Sequence, residues 1–79
     1  MTYPDSLTPR EMEVVSKVMQ QLPEKIIASE MHITLNTVKS FMRSIHSKTG
    51  THSYAEMIAY GYSIGFSFDG SYRPKGRAA

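Results

Sequence analysis

The chain has 79 residues, no cysteine and a formal net charge of +2. That length allows one small domain whose core must be efficient or shared with a partner, and the missing thiols exclude disulfides, zinc–thiolate sites and cysteine catalysis. So mild a charge argues for no partner by itself, and with no signal segment before Pro9 and no apolar run of membrane-spanning length the chain reads as soluble and cytoplasmic, with no membrane partner.

Residues 1–6 include Pro4, show no periodicity, and read as a flexible arm. Thr8-Pro9-Arg10-Glu11 then marks a helix start: Thr8 as N-cap, Pro9 at the first helical position, Glu11 closing a capping box. Met12, Val15, Val18, Met19 and Leu22 follow as an apolar stripe, with Glu13 and Lys17 as an i,i+4 ion pair outside, and the helix is expected to end near Gln20 or Gln21. Pro23 opens a short second helix over 24–31 that buries Ile27 and Met31, with Glu24 at its positive end; Ile26 cannot face the same core equally. His32 and Ile33 form a turn. Thr34 caps a third helix that runs to about Lys48 and stops at Gly50, a residue suited to the left-handed conformation.

Ser53 and Glu56 repeat the capping-box pattern, so a fourth helix is expected over 54–64. Gly61 inside it suggests the close approach of another backbone. Met57, Ile58, Gly61, Tyr62 and Gly65 suit packing on the first helix, which leaves Tyr60 and Ile64 pointing away as a candidate dimer contact. From 67 on, glycine, Pro74 and three cations read as a flexible basic tail that adds a non-specific electrostatic contribution. The fold class expected is all-α: a four-helix bundle, 7–66, that contains a helix-turn-helix.

The third helix is the chemically distinctive element. Val38, Phe41, Met42 and Ile45 recur on one side, and Asn36, Lys39, Ser40, Arg43 and Ser47 fall on the other. Between 31 and 55 there are three cations, Lys39, Arg43 and Lys48, and no carboxylate, whereas residues 1–30 carry three cations against five carboxylates. An exposed helix ordinarily mixes both signs. Basic groups neutralise phosphates, and Arg, Lys, Asn and Ser can meet base edges, so this face suits a DNA groove. Taken singly, Lys39 and Arg43 are better read as solvated helix residues; the frame of two helices and a tight turn reverses that and favours the groove.

In order and spacing, LTPREMEVV, KIIASEMHIT, NTVKSFMRSIHSKTG and SYAEMIAYGYSIGF resemble the LuxR-type (GerE-like) helix-turn-helix domain. The resemblance covers about Leu7 to Phe66, and its anchors are Leu7 to Glu11, Thr37-Val38-Lys39, Ile27-Ala28, Lys48, Gly50 and Ser53 to Glu56. It implies a four-helix DNA-binding domain of a transcription regulator, with the third helix in the major groove and the fourth commonly in a dimer contact. Base contacts of the family map to Lys39, Ser40 and Arg43, and backbone contacts to Thr34, Asn36, Thr37 and Lys48. The chain departs from the family pattern at Ile26, Phe41, Thr49, Thr51 and Tyr54. Because such domains usually follow a sensory domain and this chain begins at Met1, a single-domain form is expected.

The three histidines, His32, His46 and His52, lack a carboxylate or cysteine to complete a ligand set, so neither metal nor cofactor is expected. No nucleophile–base pair or phosphate-cradling glycine loop argues for an enzyme. The methionines and the Tyr60, Tyr62, Phe66 and Phe68 cluster read as core and end packing. Two functions stand: a sequence-specific regulator that binds double-stranded DNA as a weak homodimer on a pseudo-palindrome, with another regulator or RNA polymerase as further partners, or a module of the same fold that titrates another regulator through Ile26 or the aromatics. The basic face around Lys39 and Arg43 favours the first, because a titrator has no use for it.

Overall fold

The computed structural model describes residues 7–74. Four helices follow in order: α1 (Pro9–Met19), α2 (Glu24–Met31), α3 (Leu35–Thr49) and α4 (Tyr54–Ile64). Each start has a local cause. At α1 the Thr8 hydroxyl accepts from the Glu11 amide at 3.1 Å while the Glu11 carboxylate accepts from the Thr8 amide at 2.8 Å, which is the expected capping box. Thr34 caps α3 by accepting from the Thr37 amide at 3.1 Å, and Gly50, at φ 74°, ends it in the left-handed region. Ser53 caps α4, but the Glu56 carboxylate accepts from the amide of His52 rather than that of Ser53, so the second box is shifted by one residue.

Helix α1 packs against all three other helices. Its burial is therefore wider than one stripe: Val14, Val15, Val18 and Met19 are enclosed, while Met12 and Leu22 are only partly buried against the core. Ile27 and Met31 from α2, Val38, Met42 and Ile45 from α3, and Met57 and Ile64 from α4 complete the interior. Ile26 faces outward, which resolves the Ile26–Ile27 conflict.

Several expectations are corrected. Glu13 pairs with Arg10 at 3.0 Å, and Lys17 reaches across to Glu30 of α2 at 2.8 Å, so the cation of the expected α1 pair ties two helices together instead. Tyr60 and Ile64 do not point away: Ile64 is a core residue at 4% exposure, Tyr60 packs against the core, and Tyr62, assigned to the packed face, is exposed. Because α4 is apolar nearly all round, its pattern leaves its rotation open. The rotation is set where Gly61 meets the Met19 side chain, so the close approach expected at Gly61 involves a side chain and not a backbone.

Within the expected tail, residues 67–74 take a defined conformation. Asp69-Gly70 makes a tight turn in which the Gly70 amide donates to Ser67 O at 2.9 Å and the Ser67 amide to Ser71 O at 2.8 Å, with Gly70 at φ 87°. Phe66 and Tyr72 form an antiparallel bridge with ring centroids 4.7 Å apart, and the Ser16 hydroxyl of α1 donates to Gly70 O at 2.7 Å. A search for helical periodicity misses this segment because its order comes from a turn and one aromatic pair. The expected arm 1–6 and the end of the tail, 75–79, lie outside the described residues.

Candidate nucleic-acid interface

The α2–turn–α3 unit is held by backbone geometry. His32 takes the left-handed conformation at φ 58° and caps α2 through its amide, and the Ile33 amide donates to Ala28 O at 3.0 Å, which turns the chain sharply into Thr34. With Val38, Met42 and Ile45 sunk in the core, the opposite face of α3 is presented outward by its 3.6-residue period. Asn36, Thr37, Lys39, Ser40, Arg43 and Ser47 are all exposed, as is Thr34 at the cap. The sequence-derived base-contact set is thereby brought onto one surface.

The cations on this helix are not equivalent. Arg43 makes no ion pair among the described residues, so its guanidinium is available to an anion or a guanine edge. Lys39 lies 3.1 Å from the Glu24 carboxylate at the start of α2. Lys48 lies 2.8 Å from Glu11, whose side chain is 5% exposed. That carboxylate also accepts from the Ser44 hydroxyl at 2.7 Å, in addition to the Thr8 amide. Burial raises the pKa of Glu11, but the hydrogen bonds from Lys48, Ser44 and Thr8 outweigh it and hold the group below its ordinary value. Lys48 thus leans on the α1–α3 seam, away from Lys39, and only part of it remains to meet a DNA backbone.

At the cap, the Thr34 and Thr37 hydroxyls lie 2.9 Å apart and share a hydrogen bond, beside the amides of the first turn. Those amides and hydroxyls, with the positive end of α3, form a surface suited to a phosphate. Leu35 is also exposed there, beside the cap, and was not singled out by the sequence.

Three of the five positions that depart from the family pattern find local hydrogen-bond partners. Thr49 donates to Ile45 O at 2.9 Å and shares a hydrogen bond with Thr51, whose hydroxyl also meets His46 Nδ1 at 2.7 Å. Tyr54 donates to Leu22 O at 3.2 Å, tying α4 to the α1–α2 loop; burial and then the nearby negative charge of Glu24 raise its pKa. Among the described residues, no group of three or more histidine, cysteine or acidic side chains could hold a metal ion, and no helix is long and apolar enough to cross a membrane.

Glu11 and Glu24 are the site-organising residues that sequence reasoning missed. Each was legible as a helix-terminal acid, but their cationic partners lie 37 and 15 residues away, at distances no local pattern reveals.

Residues 5–60 match the family described as bacterial regulatory proteins, luxR family. The chain is 36% identical over 56 residues to the monoamine regulon transcriptional regulator of Klebsiella aerogenes, an overlap of 71% of this chain and 25% of that protein. It is 32% identical over 60 residues to response regulator Rre1 of Synechocystis, covering 76% and 26%, and 33% identical over 55 residues to the probable transcriptional regulator ycf29 of Cyanophora paradoxa, covering 70% and 26%. The chain spans about a quarter of the length of these relatives. Solved structures give no significant match. With four helices in the expected order and a family match over most of its length, the chain belongs to the luxR family of bacterial regulatory proteins.

Proposed function

We propose that this chain binds double-stranded DNA to regulate transcription, with α3 lying in the major groove. The observation that carries the reading is the outward face of α3, where Lys39, Ser40 and Arg43 stand exposed together with no acidic residue on the helix itself. In this reading Arg43 and Lys39 donate to guanine O6 and N7, Ser40 meets an adjacent base edge, and Thr34, Asn36 and Thr37 position the helix on phosphates. Lys48 joins them at the backbone only with the share of its charge that Glu11 leaves exposed.

A single α3 covers one half-site, so two copies acting on a pseudo-palindrome would place their helices one DNA turn, about 34 Å, apart. The buried Ile64 and core-packed Tyr60 cannot supply that contact, and the exposed side of α4, with Ala55, Ala59 and Tyr62, takes their place. A face so small supports weak pairing that is strengthened when both copies sit on adjacent half-sites. The experiment is selection of preferred duplexes from a random pool, followed by binding of the parent and Arg43→Ala. The expected result is a pseudo-palindromic preference, and a loss in Arg43→Ala of about 1–3 kcal/mol of discrimination at one base pair per half-site with the fold unchanged. Equal binding of both proteins to every duplex defeats the reading; a selected single half-site defeats the pairing alone.

A second reading, capture of another regulator, draws on the exposed Ile26 and Phe68, which are 43% and 75% accessible. It requires that Ile26→Asp or Phe68→Asp abolish the activity while Arg43→Ala leaves it intact.

A further inference from the structure

The carboxylate set against Lys39 on the outward face of α3 belongs to a different helix. Glu24 stands in the first turn of α2, and its Oε1 lies 3.1 Å from the Lys39 ammonium. The two side chains differ in exposure: Lys39 is 52% accessible and Glu24 only 28%, so the carboxylate is the more enclosed partner. The position of Glu24 is favourable in its own right, since no side chain caps α2 and its unpaired first-turn amides attract an anion.

From this pair we infer that Glu24 is a specificity-determining residue, which withholds the charge of Lys39 from arbitrary phosphates and allows it to act on a base edge. The inference rests on the groove reading of α3. An ammonium has three donors, so Lys39 can keep one bond to Glu24 and offer another to guanine O6 or N7, which carry no net charge and are repelled by a nearby carboxylate less than a phosphate is. A phosphate is an anion. Bringing one to Lys39 sets it against Glu24, so the pair must break or the two negative charges repel. Non-specific binding consists almost wholly of phosphate contacts, whereas a selected site adds base contacts, so the carboxylate subtracts more from the former. It acts by discouraging the wrong encounter.

The experiment is a thermodynamic cycle with Glu24→Gln, Lys39→Ala and the double variant, each titrated with salt on random duplex and on the duplex selected by the parent. Circular dichroism monitors folding; both side chains lie at the surface between α2 and α3, outside the apolar core. Glu24→Gln is expected to raise affinity for random duplex by up to about five-fold, the range of a partly exposed ion pair, and to steepen the salt dependence by about 0.9 in log–log slope, the release of one more counterion. Affinity for the selected duplex should rise less, so the specificity ratio falls. In the Lys39→Ala background both effects of Glu24→Gln should vanish. The inference is overturned if Glu24→Gln changes nothing, or if it raises affinity equally with and without Lys39, since that is the plain removal of a negative charge. A parent with no salt-dependent affinity for any duplex sinks the groove reading, and this inference with it, an outcome distinct from either of the former.

Discussion

Glu11 shows how one side chain comes to serve two levels of structure. Its backbone position makes it the N3 residue of a capping box, and its burial places the same carboxylate within reach of Ser44 and Lys48 on α3. The local half was readable from Thr8 and Glu11 alone; the long-range half was not, because it depends on how α3 is rotated against α1. Removing one partner of a buried pair leaves an uncompensated charge, a loss of about 3–5 kcal/mol when fully enclosed. With Lys48 a third exposed, Lys48→Ala should cost less, about 1–2 kcal/mol, which would appear as a lowered denaturation midpoint. The pH dependence has a definite sign. Since the folded-state pKa of Glu11 lies below its ordinary value of 4.5, its contribution is fully present above that value and is lost as pH falls through the lower, folded one. The stability difference between the parent and Glu11→Gln, measured by urea denaturation, should therefore be constant from about pH 7 to about 5.5 and shrink below about pH 4. A difference that grows on acidification would mean that Glu11 is destabilised by its burial after all.

At the scale of elements, legibility depended on the presence of a marked start and a one-sided pattern. α1 and α3 have both, and their expected starts and buried faces agree with the structure apart from Val14, which is enclosed because α1 is surrounded, and Met12, Leu22 and Phe41, which are only partly buried. α4 has a good start at Ser53 but apolar residues nearly all round, and its packed face is wider than expected: Met57, Ile58, Gly61 and Gly65 pack as expected, Tyr60 and Ile64 pack as well, and Tyr62 is exposed. The segment after α4 had neither signal, although Asp69-Gly70 is a strong turn pair. Its return onto α1 predicts that truncation after Gly65 is not neutral. An aromatic pair contributes about 0.5–1.5 kcal/mol beyond its buried area, and Phe66 is itself a core residue, so the truncated chain should lose at least about 2 kcal/mol. Truncation after Pro74 should leave the midpoint unchanged, and the two truncations together separate the contribution of the turn from that of residues 75–79. Equal midpoints for both would show that the turn contributes nothing.

In the molecule as a whole, the contacts form a hub: α1 touches α2, α3 and α4, and supports from behind the helix whose outward face carries Lys39, Ser40 and Arg43. The exposed positions Asn36, Lys39, Ser40 and Arg43 were legible as one face of α3, while the acids that pair with Lys39 and Lys48 were not, since they arrive from α2 and α1. A hub of this kind leaves little room for partial opening. The turn at 67–71 and the first residues of α2 can fray without disturbing Val14, Val15 or Val18, but α1 cannot lose its register unless its three interfaces open together. Amide protons in the middle of α1 should then exchange with solvent deuterium only through global unfolding, at a free energy equal to that from denaturation, whereas those of the turn and of the first residues of α2 should exchange at a small fraction of it. The outward face of α3, which we propose meets DNA, inherits that property: α3 is either fully mounted or absent, and a destabilising change anywhere along α1 would lower the number of competent molecules rather than the quality of each one's grip.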